Sequence, residues 1–152
     1  VGREDHLPTL VREVGELDVH GIAIRPASPT GIGKIAATRV FLLPGNPVSC
    51  LCAYDVFARP ALRRMAARSE DWPYREERLP LAKRITSQGG RVDYVRVVVG
   101  GEPRRVEPLA IWGASVLSST TRADGFVIVT ATSEGLADGE DVLVRFYDSG
   151  RA

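Results

Sequence analysis

The chain carries only two cysteines and two histidines in 152 residues, and neither type is arranged for chemistry. Cys50 and Cys52 stand two positions apart, where neighbours on a helix project in nearly opposite directions. They suit neither a disulfide nor a metal chelate, so buried free thiols are expected. His6 and His20 lie at no metal-ligand spacing from another His or Cys, which argues against a zinc site. No Gly-x-Ser-x-Gly string and no Ser-His-Asp arrangement occurs, which removes the ordinary hydrolases. Neither sign of charge dominates: 20 basic against 19 acidic residues leave +1, too little for a general nucleic-acid binder. No apolar run approaches the roughly 20 residues of a membrane span, and Val1-Gly2-Arg3-Glu4-Asp5 lacks a signal-peptide layout. A cytoplasmic protein is expected, with no membrane and no nucleic acid as partner.

What is present is an ordinary globular mixture, 44% hydrophobic and 26% charged, enough for one modest domain or two small ones. Leu7, Leu10, Val11 and Val14 predict a helix over 7–14, capped by Asp5 and ended by Gly15. Val19 to Ile24 alternates like a strand, the Gly/Pro/Ser-rich stretch Ala27 to Lys34 reads as a loop, and Val40 to Leu43 reads as a strand covered on both faces. A helix should then run to about Ala67 with a bend at Pro60. Ser69 to Pro73 has linker character. From Leu79 onward only short β-type runs follow: Leu79–Ile85, Asp93–Val99, Arg105–Leu109, Phe126–Ala131 and Val142–Tyr147. The expected architecture is an incomplete α/β domain over 1–69, a linker over 70–74 and a small β-barrel domain over 75–148.

The sharpest local signal is Leu43-Pro44-Gly45-Asn46-Pro47-Val48-Ser49. Two prolines frame Gly-Asn at a strand-to-helix turn. Asn46 suits the N-cap, Pro47 the first helical position, and Ser49 can serve first-turn donors. Such a helix start can receive an anion, and Gly45 lets backbone approach it. A capped helix start without any ligand satisfies the same residues.

That string, followed by Arg59-Pro60-Ala61-Leu62, resembles the molybdopterin molybdenumtransferase family, the bacterial MoeA type and the gephyrin E domain. Val1-Gly2-Arg3-Glu4-Asp5 is similar to the end of the family's glycine-rich Ser-Val-Gly-x-x-Asp segment. Ile22-Ala23-Ile24-Arg25-Pro26 is similar to the segment leading into Lys-Pro-Gly-Lys-Pro. Gly90 to Arg96 resembles its Arg-x-[Asp/Glu]-[Phe/Tyr]-x-Arg strand, and Leu117-Ser118-Ser119 with Ala123-Asp124-Gly125 its Leu-Ser-Ser-x-x-x-Ala-[Asn/Asp]-Gly run. The elements occur in family order over nearly the whole chain.

The resemblance implies insertion of molybdate into adenylylated molybdopterin with release of AMP, helped by Mg²⁺. Asp5 then matches an acidic residue where molybdate and the metal ion meet the pterin. Arg25 stands where Lys is commoner, Ser28 replaces a second Lys, and Lys34 is expected to compensate in part. Arg96, Ser115 and Ser118, with Ser119 beside them, match groups that reach a partner's pocket across a homodimer. Molybdopterin adenylyltransferase and apo-molybdoenzymes are further implied partners. Full-length members are far longer, so an opening inside the pterin-binding domain, and little activity from this piece alone, are expected. A non-catalytic scaffold like gephyrin's related domain and an inactive paralogue (Gly21, Ser28 and Ala114 replacing polar or charged groups) are the competing readings.

Overall fold

A computed structural model describes residues 5–109 and 121–147. The chain divides into two compact units, residues 1–70 and 71–152. The first is mixed α/β and the second is built of strands, the two fold classes expected.

In the first unit, helix α1 spans Leu7–Val14, with Pro8 in its first turn and Arg12 in its last. Its N-cap is His6 in helical conformation, with no side-chain cap bond, so Asp5 is exposed and does not play the capping role expected of it. Gly15 ends the helix in extended rather than left-handed backbone. Its lack of a side chain has another cause: a Cβ there would collide with the Lys34 carbonyl oxygen.

Strands β1 (Glu16–His20), β3 (Gly31–Ile35) and β4 (Thr38–Leu42) form an antiparallel sheet in the order β1-β3-β4, and β2 is the short stretch Ile24–Arg25. Two expectations change here. The strand predicted over 19–24 lies earlier, because Gly21 turns the chain with φ +87°. The glycine-rich stretch read as loop contains β3. Its glycines permit close packing rather than turning: a Cβ on Gly33 would strike the Glu16 carbonyl oxygen, and one on Gly31 would press on Leu42 at 3.1 Å. In β4, Val40 and Phe41 are half-buried and only Leu42 is buried, so it is not the strand covered on both faces that its apolar run suggests.

Helix α2 (Pro47–Ala53) passes into a π-helical segment (Tyr54–Ala58) and then α3 (Arg59–Met65). The predicted bend at Pro60 is thus a π-bulge. The Arg59 N–H donates to the Tyr54 carbonyl, five residues back, and Pro60 falls in the first turn of α3, where a missing donor costs little. Buried Asp55 accepts a hydrogen bond from Arg59 at 2.7 Å across the junction. Leu7, Leu10 and Val14 leave an exposed apolar stripe on α1, and Leu51, Tyr54, Leu62 and Met65 are exposed along the second helical run.

The second unit contains β5 (Arg75–Pro80), β6 (Ile85–Thr86), β7 (Val92–Gly100), β8 (Arg105–Pro108), β9 (Gly125–Val129), β10 (Gly135–Leu136) and β11 (Asp141–Phe146). Its pairing runs β8-β7-β9-β11-β5, all antiparallel. Just beyond β5, Leu81 bridges Val106 of β8 and the Ala82 N–H donates to the Val106 carbonyl at 2.8 Å, so the pairing returns to its start. The strand predicted over 79–85 is displaced to 75–80. Its Arg-Glu-Glu-Arg sequence hides it from an apolar count, yet all six residues pair with β11.

The core of this unit is aliphatic, with Leu81, Val97, Val106, Val129 and Val144 fully buried. Phe126, also fully buried, is ringed by Trp72, Tyr74, Tyr94 and Tyr147 at centroid distances of 5.1, 5.4, 4.1 and 5.5 Å. Residues 70–74, expected as linker, therefore supply two rings to that cluster.

Replacing Phe126 by Ala should destabilise the unit by about 3–5 kcal/mol, as large-to-small changes at full burial do. Urea unfolding followed by tryptophan emission would check this, and an unchanged midpoint would show that the cluster contributes nothing. The hydrogen bond from Arg75 holds the Glu77 carboxyl below its ordinary range, burial opposing and the Arg104 guanidinium adding to the effect. Its contribution is thus complete above the ordinary carboxylate range and declines as pH falls through the depressed value. Unfolding of Glu77→Gln should accordingly match the parent at low pH and fall below it near neutrality.

Candidate functional site

The sheet register decides which predicted residues meet. His20 pairs with Gly31, and Gly31 with Leu42, so the end of β1, the start of β3 and the end of β4 share one edge, here called the upper end. The loop 21–30 and the turn 43–46 both leave the sheet there. Helix α1, joined to β1 through Gly15, packs against β1 and β3, and Asp5 is exposed just before its start. A direct tie joins the two motifs: the thiol of Cys52, on α2, donates to the Pro26 carbonyl at 3.4 Å.

Lys34 is at the other end. It pairs with Glu16 at the start of β1, and its ammonium lies 3.0 Å from the Glu16 carboxylate. Lys34 thus stands apart from the end where the loop 21–30 leaves the sheet. Three residues of β3, at ~3.4 Å each, separate it from Gly31, and its charge is already matched.

At the turn, Asn46 is the N-cap in extended backbone. Its Oδ1 accepts from the Val48 and Ser49 N–H groups at 3.1 and 3.4 Å, and its carbonyl accepts from the Cys50 N–H at 2.8 Å. Pro44 and Asn46 are half-buried, Gly45 and Pro47 exposed, and Ser49 buried. Asn46 itself satisfies two first-turn donors, which limits what α2 offers an anion. Gly45 differs from the glycines of β3. It has no positive φ, and a Cβ built on it meets nothing within 4 Å. The packing of this unit does not require glycine there.

Arg25 is half-buried on β2, and Ser28 is exposed at the loop tip. In the second unit Arg96 lies mid-strand on β7, half-buried, its backbone paired with Phe126 and its carbonyl accepting from the Leu109 N–H at 2.9 Å. Ser115, Ser118 and Ser119 lie outside the described residues. Asp5 contributes one carboxylate, and among the described residues no three His, Cys, Asp or Glu side chains gather as a metal site.

Sequence reasoning missed several ordered groups. Cys52 read only as a buried thiol, and it is one, but its bond to Pro26 crosses 26 residues that no local pattern links. Asp93 is 1% exposed and accepts from Ser87 Oγ at 2.8 Å and Arg91 Nε at 3.0 Å, fixing the approach to β7. The signal available was Asp93 within a run of apolar strand residues.

Comparison with known proteins now defines the class. Residues 1–64 match the family described as probable molybdopterin binding domain, and residues 78–147 match the MoeA C-terminal region, domain IV. The chain belongs to the MoeA family. It is 42% identical over 124 residues to molybdopterin molybdenumtransferase 2 of Mycobacterium tuberculosis, covering 80% of this chain and 28% of that protein. To molybdopterin molybdenumtransferase 1 of the same organism it is 33% identical over 150 residues, 91% of this chain and 34% of that one. A crystal structure of a molybdopterin biosynthesis MoeA protein from Pyrococcus horikoshii superimposes with a TM-score of 0.77 at 34% identity, over 94% of this chain and 35% of that chain. The chain thus spans about a third of the length of the relatives it matches.

Removing the Asn46 cap by Asn46→Ala should cost about 1 kcal/mol, while Asn46→Asp retains most of it. Thermal unfolding of the three proteins provides the check; equal transitions would deny the cap its role.

Proposed function

We propose that this chain forms part of a molybdopterin molybdenumtransferase that inserts molybdate into adenylylated molybdopterin and releases AMP. The observation carrying this reading is the meeting, at one end of one sheet, of the Arg25 loop and the Pro-Gly-Asn-Pro turn, tied by Cys52 to Pro26. The relatives' names support it. In this reading Arg25 holds an oxyanion oxygen through its planar fork of donors. Gly45, bare of a side chain in open space, admits the ligand to backbone N–H groups. The chemistry asked of the protein is positioning and charge compensation; the dithiolene sulfurs that take the metal belong to the pterin.

Arg96 of a second copy supplies another cation, making the working unit a homodimer. The apolar residues exposed on α1 and along the second helical run support packing against further protein. For Mg²⁺, Asp5 offers a single hard oxygen ligand, and the described residues hold no cluster to complete a site. The protein works in the cytoplasm, upstream of apo-molybdoenzymes and downstream of the adenylyltransferase.

Calorimetric titration with molybdate tests the site. Arg25→Ala should weaken binding roughly tenfold or more, the range for a hydrogen bond to a charged group, and Ser28→Lys should strengthen it a few-fold. Gly45→Val should leave thermal stability within about 0.5 kcal/mol of the parent, because no described residue fills that space, while abolishing binding. Parent-like affinity in Arg25→Ala and Gly45→Val together would refute the assignment.

A further inference from the structure

The loop 21–30 is more tightly built than its composition suggests. The Gly21 N–H donates to the Thr30 carbonyl at 3.0 Å, closing the neck, and the Ile22 N–H donates to the Ser28 carbonyl at 2.8 Å. At the tip, Ala27 is 2% exposed and has φ +100°, a left-handed conformation that is strained for an L residue with a Cβ. Alanine does not favour that backbone, so the conformation must be imposed by neighbours.

Thr30 imposes it. Its N–H and its hydroxyl both donate to the Ala27 carbonyl, at 3.0 and 2.7 Å, and the residue is fully buried. The preceding carbonyl, of Pro26, is held from the other side by the Cys52 thiol. Two successive carbonyls immediately after Arg25 are thus pinned by groups from different elements. A loop ordered before the ligand arrives loses less entropy on binding than one ordered by it.

The geometry points to Thr30 as the positioning residue of the Arg25 loop: its hydroxyl holds Ala27 left-handed and so presents Arg25 to a tetrahedral oxyanion in a fixed place. This rests on the oxyanion site proposed above. Thr30 touches no ligand and acts through Arg25.

The test is a double-mutant cycle on the 152-residue chain, read as molybdate affinity by calorimetry. Thr30→Val keeps the shape and removes the hydroxyl; its dissociation constant should rise about tenfold, while Thr30→Ser stays within about twofold of the parent. Because Thr30 acts through Arg25, adding Thr30→Val to Arg25→Ala should change affinity by less than about twofold. Should the valine variant not fold, Thr30→Ala carries the same comparison. Undiminished binding by the variant lacking the hydroxyl, or a tenfold loss persisting in the Arg25→Ala background, would overturn the inference while leaving the site itself standing. No binding by the parent chain would contradict the site, and this role with it.

Discussion

The backbone contact between β1 and β3 governs the first unit. The Glu16 carbonyl lies where a Cβ of Gly33 would be, and the Lys34 carbonyl where one of Gly15 would be. Only with both side chains absent can helix α1 turn straight into β1 and β1 lie against β3. That approach sets the register, including the slip between Leu17 and Val19. The register in turn delivers the loop 21–30 and the turn 43–46 to one end. A change of one residue in pairing would send Leu42 and its neighbours to the opposite face and separate the loop from the helix that holds it.

The second unit solves a different problem. Most of its strands have six residues or fewer, and β5 is rich in charge, so edge pairing supplements the aliphatic core. The return of the hydrogen bonding from Leu81 and Ala82 to Val106 leaves β5 and β8 paired beyond their own partners. The charges on β5 are then used in place: Glu76 meets Arg145 at 2.7 Å, and Glu77 accepts from both Arg75 and Arg104 at 2.6 Å. Arg145 and Arg75 also lie over the Trp72 and Phe146 rings at 4.8 and 3.9 Å. Arg25 and Arg96, the two arginines that the family resemblance singles out, lie in β2 and β7 of the first and second units.

Much of this architecture was legible from the residues. The order of α/β elements followed by short strands, the N-cap at Asn46 and the family motifs are all local patterns, and local patterns survive folding. What was not legible depended on contacts distant in sequence. Gly31 and Gly33 look like loop residues until the neighbouring strand is seen to occupy their side-chain space. Lys34 looks available until Glu16 is placed opposite. The charged Arg75 to Arg78 stretch pairs as a strand because β11 lies alongside, not because its own sequence demands it. Thr30 gave no signal, since its partner's left-handed backbone is invisible in an alanine.

In the proposed function, the upper end of the first unit's sheet is an oxyanion seat ordered before the ligand arrives. Amide chemical shifts recorded during titration with molybdate test it most directly. The largest changes should cluster at Ile22 to Thr30 and at Gly45 to Ser49, with Lys34 and Glu16 at the far end unmoved. Changes centred on the Lys34 end, or spread evenly over both units, would contradict it.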